Sequence, residues 1–176
     1  MLFICSATAA EPDEDHHIKL TKEVVASGDI ISQLISGEPV RYDNVTISGS
    51  LELAELQGSL SQPVRITNSI FLGPVRFAAA SFDEPIDLQG CIFRDNVDFF
   101  GCRFAGGAGF AGVTFEGQAD LRNTYFGGQA SFLSAQFSED ASFRNSQFAG
   151  DGIFLNSSFA RDVDFDFAQF QRLAGE

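Results

Sequence analysis

The chain has 176 residues and a formal net charge of −13, from 24 acidic and 11 basic side chains. Such acidity argues against direct binding to nucleic acid or to an anionic membrane through a basic patch, and it permits a basic protein partner. No apolar run approaches the roughly 18 residues that a transmembrane helix needs, so no membrane span is predicted.

Residues 1–20 are expected to be a signal-like or disordered leader. The start MLFICSATAA ends in the small-x-small sequence Ala7-Thr8-Ala9, as a secretory cleavage site does. If this is a truncated signal peptide, the protein is exported to the periplasm or the extracellular space; otherwise the protein is cytoplasmic. His16 and His17 lie beside acidic residues, but adjacent ligands on a polar tail make a poor metal site, so we expect solvated side chains.

A capping helix region is predicted over residues 21–40. Asp29 can cap the N-terminus of a helix, and an apolar stripe follows it at Ile30, Ile31, Leu34 and Ile35. Gly37 is a stop signal. The helix itself is predicted over 21–36.

The third segment, residues 41–176, is predicted to be a repeat domain. Alternation with a period of two begins at 45–47 and resumes at 51–53 after an expected bend at 48–50, and residues 56–62 are expected to form a loop. Beyond the loop, large apolar centres recur at alternating gaps of five and six residues. They are Ile66, Phe71, Phe77, Phe82, Leu88, Phe93, Phe99, Phe104, Phe110, Phe115, Leu121, Phe126, Phe132, Phe137, Phe143, Phe148, Phe154, Phe159, Phe165 and Phe170.

Each centre from Phe77 onwards follows, two residues later, a small or β-branched residue, and turn-forming residues come after it. This pattern predicts three-residue strands with the small and the large side chain on one face. An α-helix is excluded because five residues at about 100° each place successive Phe on different faces. An antiparallel meander would leave one sheet face wet and should alternate over longer stretches.

Four such sides of five and six residues close a coil of twenty-two residues if each bend is roughly a right angle. Stacked coils then place residue n over residue n + 22, for example Phe82 over Phe104 and Phe71 over Phe93. At the β spacing of about 4.8 Å the rings would lie within stacking distance. The expected fold class is therefore an all-β solenoid, a quadrilateral parallel β-helix with a short N-terminal capping helix.

The unit ADLRN at 119–123 matches the A(D/N)LXX consensus of the pentapeptide repeat family, and IDLQG, VDFFG, ASFLS and ASFRN are close variants. The chain resembles that family over about 64–170, with a Phe-rich alternation of five and six residues in place of strict fives. The resemblance implies a right-handed quadrilateral β-helix. It also implies two kinds of role, because some members mimic DNA and bind type II topoisomerases while many have no assigned activity.

Catalytic, cofactor and metal sites are not predicted. Histidine occurs only in the leader, so the repeat domain lacks the commonest general base, and a convex prism offers no obvious cleft. The GxGxxG match at 107–112 is expected to be repeat turns, since a nucleotide-binding motif needs a following helix. Cys91 and Cys102 occupy inward small positions on opposite walls and are expected to be buried free thiols.

Two outward columns flank the Phe77–Phe165 centres and form a candidate partner-binding wall, although alternating Asp and Arg could equally just solubilise it. The candidate residues are Asp98, Phe100, Asp120, Arg122, Arg144 and Asp164. The leading prediction is a non-enzymatic scaffold or protein-binding module.

The alternative is a DNA mimic that binds a type II topoisomerase such as DNA gyrase. Five coils span roughly 23 Å, over which B-DNA carries about 13 to 14 charges. Residues 71–176 have fourteen acids and seven bases, which makes a weak mimic. After Phe170 only QRLAGE remains, so we expect either an end-to-end homodimer or a piece of a longer chain.

Overall fold

Very short parallel strands alternate with turns along residues 22–53 and 58–171, the parts of the chain that the computed structural model describes. The strands, numbered β1 to β25 in chain order, assemble into four parallel sheets of six or seven strands. From β2 onwards, consecutive strands lie on successive walls, and the chain returns to the same wall after four strands. The predicted parallel β-solenoid is confirmed.

The four walls are named in the order in which the chain visits them from β3 onwards. Wall 1 comprises β1 (Val24–Ala26), β3 (Thr46–Ser48), β7 (Ile70–Phe71), β11 (Ile92–Phe93), β15 (Thr114–Phe115), β19 (Gln136–Phe137) and β23 (Ser158–Phe159). Wall 2 comprises β4 (Leu51–Glu52), β8 (Val75–Arg76), β12 (Val97–Asp98), β16 (Ala119–Asp120), β20 (Ala141–Ser142) and β24 (Val163–Asp164). Wall 3 comprises β5 (Ser59–Leu60), β9 (Ser81–Phe82), β13 (Arg103–Phe104), β17 (Tyr125–Phe126), β21 (Gln147–Phe148) and β25 (Gln169–Phe170). Wall 4 comprises β2 (Val40–Asp43), β6 (Val64–Thr67), β10 (Ile86–Asp87), β14 (Ala108–Gly109), β18 (Ala130–Ser131) and β22 (Gly152–Ile153).

The strand register confirms the predicted columns. Phe93 pairs with Phe115 on wall 1, and Phe104 pairs with Phe126 on wall 3, each pair twenty-two residues apart. Successive rings of the wall 3 column, from Phe82 to Phe170, stack with centroid distances of 5.3, 5.4, 4.7 and 4.5 Å. Because aromatic pairs attract at these distances, the stacked columns stabilise the shaft beyond the burial of apolar area.

Most strands are two residues long, so the expected length of three was wrong for them. On walls 1 and 3 the strand ends at the large centre, as in Ser81–Phe82, whereas on walls 2 and 4 it stops one residue before the centre, as in Ile86–Asp87. The reason is the turn that follows. On walls 2 and 4 the carbonyl of the centre accepts a turn hydrogen bond, such as Ala80 N–H to Phe77 O at 2.8 Å, so only the N–H of the centre still bonds to the next coil, as Phe77 N–H does to Asp98 O.

The two side lengths reflect two kinds of corner. A five-residue side contains a two-residue β-turn whose second central residue has positive φ, as a type II turn requires. This residue recurs every eleven positions, at Asn68, Ala79, Gly90, Gly101, Gly112, Asn123, Ser134, Asn145, Asn156 and Phe167. A six-residue side has a three-residue corner, and its extra residue was expected to bulge outward. Seven of these extra residues are exposed, whereas Gly107 is buried and Pro74 is half-buried. The exposed ones are Pro85, Asn96, Gln118, Gln129, Asp140, Asp151 and Asp162.

The helix α1 spans Ser27–Ser36, so the prediction of a helix over 21–36 was wrong at its start, where Val24–Ala26 forms β1 instead. Asp29 is not the N-cap. Strand β1 runs directly into the helix, Ala26 takes the N-cap position, and Asp29 lies in the first turn. Gly37 ends the helix in the left-handed conformation, as expected. Ile30 and Leu34 are buried and cover the first coil.

The loop predicted at 56–62 was wrong at Ser59–Leu60, which forms β5, while residues 56 and 57 lie outside the described residues. Leu60 is buried and pairs with Phe82, so the repeat begins one coil earlier than its Phe-rich part. The repeat pattern appears interrupted in the sequence because paired residues are farther apart in the first coil. Leu51 pairs with Val75, twenty-four residues away, so two extra residues lie between β4 and β5.

Candidate protein-binding wall

The outward column of wall 2 is formed by the middle residue of each repeat, between a small and a large inward side chain. The register places Arg76, Asp98, Asp120, Ser142 and Asp164 one above another. Because the pairing fixes the backbone at a β spacing, these side chains project from one flat surface at intervals of about 4.8 Å.

The aspartates of this column are held by their own turns. Asp98 Oδ1 accepts the Phe100 N–H at 2.9 Å, and Asp120 Oδ1 accepts the Arg122 N–H at 3.0 Å. Asp164 Oδ1 accepts the Asp166 N–H at 2.7 Å in the same way. Such contacts to the backbone two residues on are typical of Asx turns. They fix the carboxylates at the corner between walls 2 and 3.

Arg122 is bound by Asp120 and stacks on Phe100. Its Nε lies 2.9 and 3.1 Å from the two oxygens of Asp120, and its Nη2 lies 2.6 Å from Oδ2. These hydrogen bonds, and then the charge of Asp120, raise the pKa of Arg122 above its ordinary value. The guanidinium carbon lies 5.4 Å from the centroid of the Phe100 ring.

Arg144, one coil later, also contacts carboxylates and a ring, but all of them belong to the coil that follows it. Its Nη1 lies 3.5 Å from Asp164 Oδ2 and 3.4 Å from Asp166 Oδ2. Its guanidinium carbon lies 5.3 Å from the centroid of the Phe167 ring. Phe100, Arg122, Arg144 and Phe167 therefore follow one another along the corner, and we call these four residues the arginine–phenylalanine ladder.

Both rings of the ladder are exposed. Phe100 retains 41% of its accessible surface and Phe167 retains 72%. Phe167 also has a φ of 60°, a left-handed conformation that a bulky side chain rarely adopts. A large apolar side chain that is both exposed and strained is unfavourable for folding alone, which points to a use outside the fold.

A shallow groove runs beside the ladder on wall 2. Its floor is the face of wall 2 that carries Asp120, Ser142 and Asp164, and its far rim carries Asp140 and Asp162 from the corner between walls 1 and 2. The prediction from sequence missed these two aspartates and Phe167. The signals were present, since Asp140 and Asp162 are twenty-two apart, and Phe167 stands where Gly, Asn, Ser or Ala stands in earlier coils.

The six predicted wall residues therefore lie together, although not all in the same role. Asp98, Asp120 and Asp164 form the outward column, while Phe100, Arg122 and Arg144 lie at the adjoining corner. Ion pairs between coils also occur elsewhere, for example from Arg94 to Glu116 at 2.7 Å. The wall is distinguished by the stacking of its arginines on exposed rings rather than by its charge.

Cys91 and Cys102 are buried free thiols, as predicted. Cys91 Sγ lies 3.0 Å from the carbonyl oxygen of Ile66, and Cys102 Sγ lies 2.9 Å from that of Phe77. Burial raises the pKa of each thiol to about 12. Because the thiolate is the reactive form, neither cysteine is suited to nucleophilic chemistry at neutral pH.

The glycine-rich match of the sequence lies within the repeats. Residues 107–112 contain the two-residue strand β14 and a turn, with no helix after them, so the GxGxxG match is a repeat corner as predicted. His16 and His17 lie outside the described residues. Within 22–53 and 58–171, no group of three or more His, Cys, Asp or Glu is placed to hold a metal ion. None of the helices in that part of the chain is long and apolar enough to cross a membrane.

Comparison with known proteins gives one match. A sequence model described as pentapeptide repeats, with nine copies, matches residues 59–103, 77–124 and 121–169. Together these ranges cover more than half of the chain. No curated protein and no solved structure matches it.

Proposed function

Because the chain belongs to the pentapeptide repeat family, we propose that it is a non-enzymatic protein-binding module that presents wall 2 to a protein partner. The fold supports a scaffold role. Each coil hydrogen-bonds to the coils beside it, so the positions of surface side chains are fixed by a rigid shaft. A rigid surface lowers the entropy cost of binding, since little has to be ordered when the partner arrives.

The observation that carries this proposal is the arginine–phenylalanine ladder. Aromatic and arginine side chains are enriched in protein interfaces and dominate their energetics. Here the arginines are immobilised by Asp120, Asp164 and Asp166, and the exposed rings of Phe100 and Phe167 lie at the two ends of the ladder. The acidic rim of the groove favours a partner whose contacting segment carries basic residues.

Affinity capture with an engineered pair of variants tests the proposal. The bait is the full chain, and the ladder variant is Phe100→Ala with Phe167→Asn, which keeps a residue suited to positive φ. The control is Leu133→Ala with Leu155→Ala, because these leucines are also exposed and lie at the opposite corner. We expect the ladder variant to lose a partner that the wild type and the control both retain.

The proposal fails if the ladder variant retains every captured partner, or if the control loses the same ones. Circular dichroism of the three proteins shows whether any loss comes from unfolding. A captured partner should also bind more weakly as salt rises, because the acidic rim contributes electrostatic attraction.

The alternative of DNA mimicry is less well supported by this wall. Arg122 and Arg144 lie among its carboxylates and neutralise them locally, whereas a mimic of a phosphate backbone needs unbroken negative charge. A supercoiling assay with DNA gyrase separates the two functions. We expect neither inhibition nor protection at micromolar protein, and either effect would favour the mimic.

We also propose that two copies associate end to end through the last coil. Phe170 is 49% exposed there, and Phe154, Phe159 and Phe165 are only partly buried. Sedimentation of the wild type against Phe170→Asp tests this. We expect a dimer that the charged substitution dissociates, and a monomeric wild type at high micromolar concentration contradicts it.

A further inference from the structure

Two arginines lie side by side at the N-terminal end of wall 4, away from the candidate wall. Arg41 on β2 pairs in register with Arg65 on β6, and Arg65 pairs with Asp87 on β10. Adjacent strands are about 4.8 Å apart, so the two guanidinium groups project from neighbouring positions of one column. They line an open groove together with Asp43 and Asn68.

Arginines elsewhere in the described residues each have a charged or aromatic partner. Five of them, Arg76, Arg94, Arg122, Arg144 and Arg161, form ion pairs, and Arg103 lies 4.4 Å above the Tyr125 ring. Within 22–53 and 58–171, Arg41 has neither an ion pair nor a ring. Arg65 forms one ion pair, from its Nε to Asp87 Oδ2 at 3.6 Å, a distance too long for a hydrogen bond. This end of the column therefore holds two guanidinium groups with most of their donors unused.

The nearby carboxylates are occupied by other groups. Asp43 Oδ1 accepts the Thr67 hydroxyl at 2.7 Å and the Asn68 side-chain amide at 2.8 Å, and these bonds lower the pKa of Asp43. Asp87 Oδ1 accepts the backbone N–H of Gln89 at 3.1 Å. Asp43 is thus held at the corner between walls 4 and 1, while Asp87 keeps its second oxygen for the long ion pair with Arg65.

Charge also distinguishes this groove from the rest of the protein. Lys22 reaches the same corner, where its Nζ donates to the carbonyl of Asn68 at 2.7 Å. Three cations, Lys22, Arg41 and Arg65, therefore face two carboxylates, on a chain whose net charge is −13. Like charges on neighbouring strands repel each other, and a bound anion would relieve that repulsion.

We infer that Arg41 and Arg65 form a binding site for an oxyanion, either a carboxylate or a phosphate group. A guanidinium presents a planar set of donors that matches two oxygens of such a group. Two of them on adjacent strands can hold one anion between them. The side chain of Arg65 is 64% exposed, so an anion in solution can reach it.

NMR titration of the full chain tests the site. Inorganic phosphate or acetate is added at constant ionic strength, with sodium chloride as the compensating salt. We expect saturable shifts of the amides of residues 41, 65 and 68 that chloride alone does not produce. Arg41→Gln and Arg65→Gln should each weaken binding at least tenfold, whereas Arg161→Gln should bind as the wild type does, because Arg161 is as exposed as Arg65 and lies on another corner.

The two anions distinguish the source of the ligand. Saturation by phosphate alone indicates a phosphorylated ligand, and saturation by both indicates carboxylates such as those of an acidic segment. Shifts that do not saturate, or that persist in Arg41→Gln, overturn the inference. The test is independent of the arginine–phenylalanine ladder, since the variant Phe100→Ala with Phe167→Asn should bind phosphate normally.

Discussion

The rings of Phe132 and Phe154, twenty-two residues apart, stack with their centroids 4.8 Å apart and their planes within 6°. The same ring of Phe132 meets Phe143 edge-on, with centroids 5.3 Å apart and an angle of 88°. Most contacts along a column are stacked, and edge-on or tilted contacts join neighbouring columns. Both geometries are favourable for aromatic quadrupoles, so the core is held in two directions.

Removing an aromatic ring from the middle of the core should lower the free energy of unfolding substantially. Phe132 is fully buried, and we expect Phe132→Ala to lower the free energy of unfolding by about 3–5 kcal/mol, because it removes both kinds of contact and leaves a cavity. Phe170→Ala, at a half-exposed position of the last coil, should cost only about 1 kcal/mol. Urea unfolding measures both. Equal losses would mean that the columns do not act as a continuous core.

The three-residue corners contain a second class of positions at which a substitution should lower the stability of the fold. A Cβ on Gly150 would lie 2.5 Å from the backbone of Gly128 in the coil below, so the two corners could not keep their spacing. We expect Gly150→Ala to cost about 1–3 kcal/mol through this overlap. Gly28→Ala is the control, because a Cβ there meets no atom within 4 Å, and in α1 it should stabilise by about 0.5–1 kcal/mol. Thermal unfolding of the two variants should shift in opposite directions.

Some features of this architecture follow from the spacing of residues in the sequence, and others depend on tertiary contacts. The spacing of Phe82, Phe104 and Phe126 determines the columns, because a ring can be buried in the shaft only if each side has a fixed length. The start of α1 could not be predicted in the same way. Pairing of Val25 with Ile47 draws residues 24–26 into wall 1, and that tertiary contact overrides the local helix signal.

In the candidate wall, too, one part could be predicted from the sequence and another part could not. The outward position of Asp98 and Asp120 follows from the alternation of inward and outward side chains, so the sequence predicts that they share a surface. The stacking of Arg122 on Phe100 depends instead on the turn that follows each centre, which brings the side chain across to the ring one coil below. Side-chain direction at a corner is set by that turn geometry, and periodicity alone carries no information about it.

One of the turn positions with positive φ is occupied by an alanine, so replacing it by glycine should stabilise the fold. Ala79 has a φ of 61° in the turn that Phe77 and Ala80 close, at the position that Gly occupies in the next coils. We expect Ala79→Gly to stabilise the fold by up to about 1 kcal/mol, because a left-handed alanine is strained by about that amount. Ala78→Gly, one residue earlier, should destabilise by about 0.5–1 kcal/mol through added freedom in the unfolded chain. The pair is compared by urea unfolding, and a loss of stability in Ala79→Gly would contradict the turn assignment.

Two of the small inward residues that follow the turns are serines, and only one of them has a hydrogen bond to its hydroxyl group. Ser157 Oγ donates to the carbonyl of Phe132 at 2.7 Å, whereas Ser146 Oγ is buried with no partner among the described residues. Replacing Ser146 by Ala should therefore be neutral or stabilising by up to about 1 kcal/mol, because it removes an unsatisfied hydroxyl. Ser157→Ala should cost about 1 kcal/mol for its lost hydrogen bond. Equal losses of stability in the two variants would contradict the prediction, because only Ser157 has a hydrogen bond to lose.

The buried thiols make the stability of the protein depend on pH in the alkaline range. The pKa of Cys91 and Cys102 rises from 9.0 to about 12 on folding, so the folded state keeps a proton that the unfolded state releases. Their contribution is fully present below pH 9 and is lost as the pH rises from 9 to 12. Each thiol lowers the free energy of unfolding by at most about 1.4 kcal/mol per pH unit in that interval.

A variant with Cys91→Ser and Cys102→Ser should lack this part of the pH dependence. A serine hydroxyl can donate to the same carbonyls of Ile66 and Phe77, and it does not ionise in this range, so the variant isolates the thiols. Urea unfolding at pH 8, 9.5 and 10.5 should show the wild type losing stability faster than the variant. Other groups titrate equally in both proteins, which leaves the difference between the two curves to the cysteines. Parallel curves would show that the thiols ionise as readily in the folded shaft as in the unfolded chain.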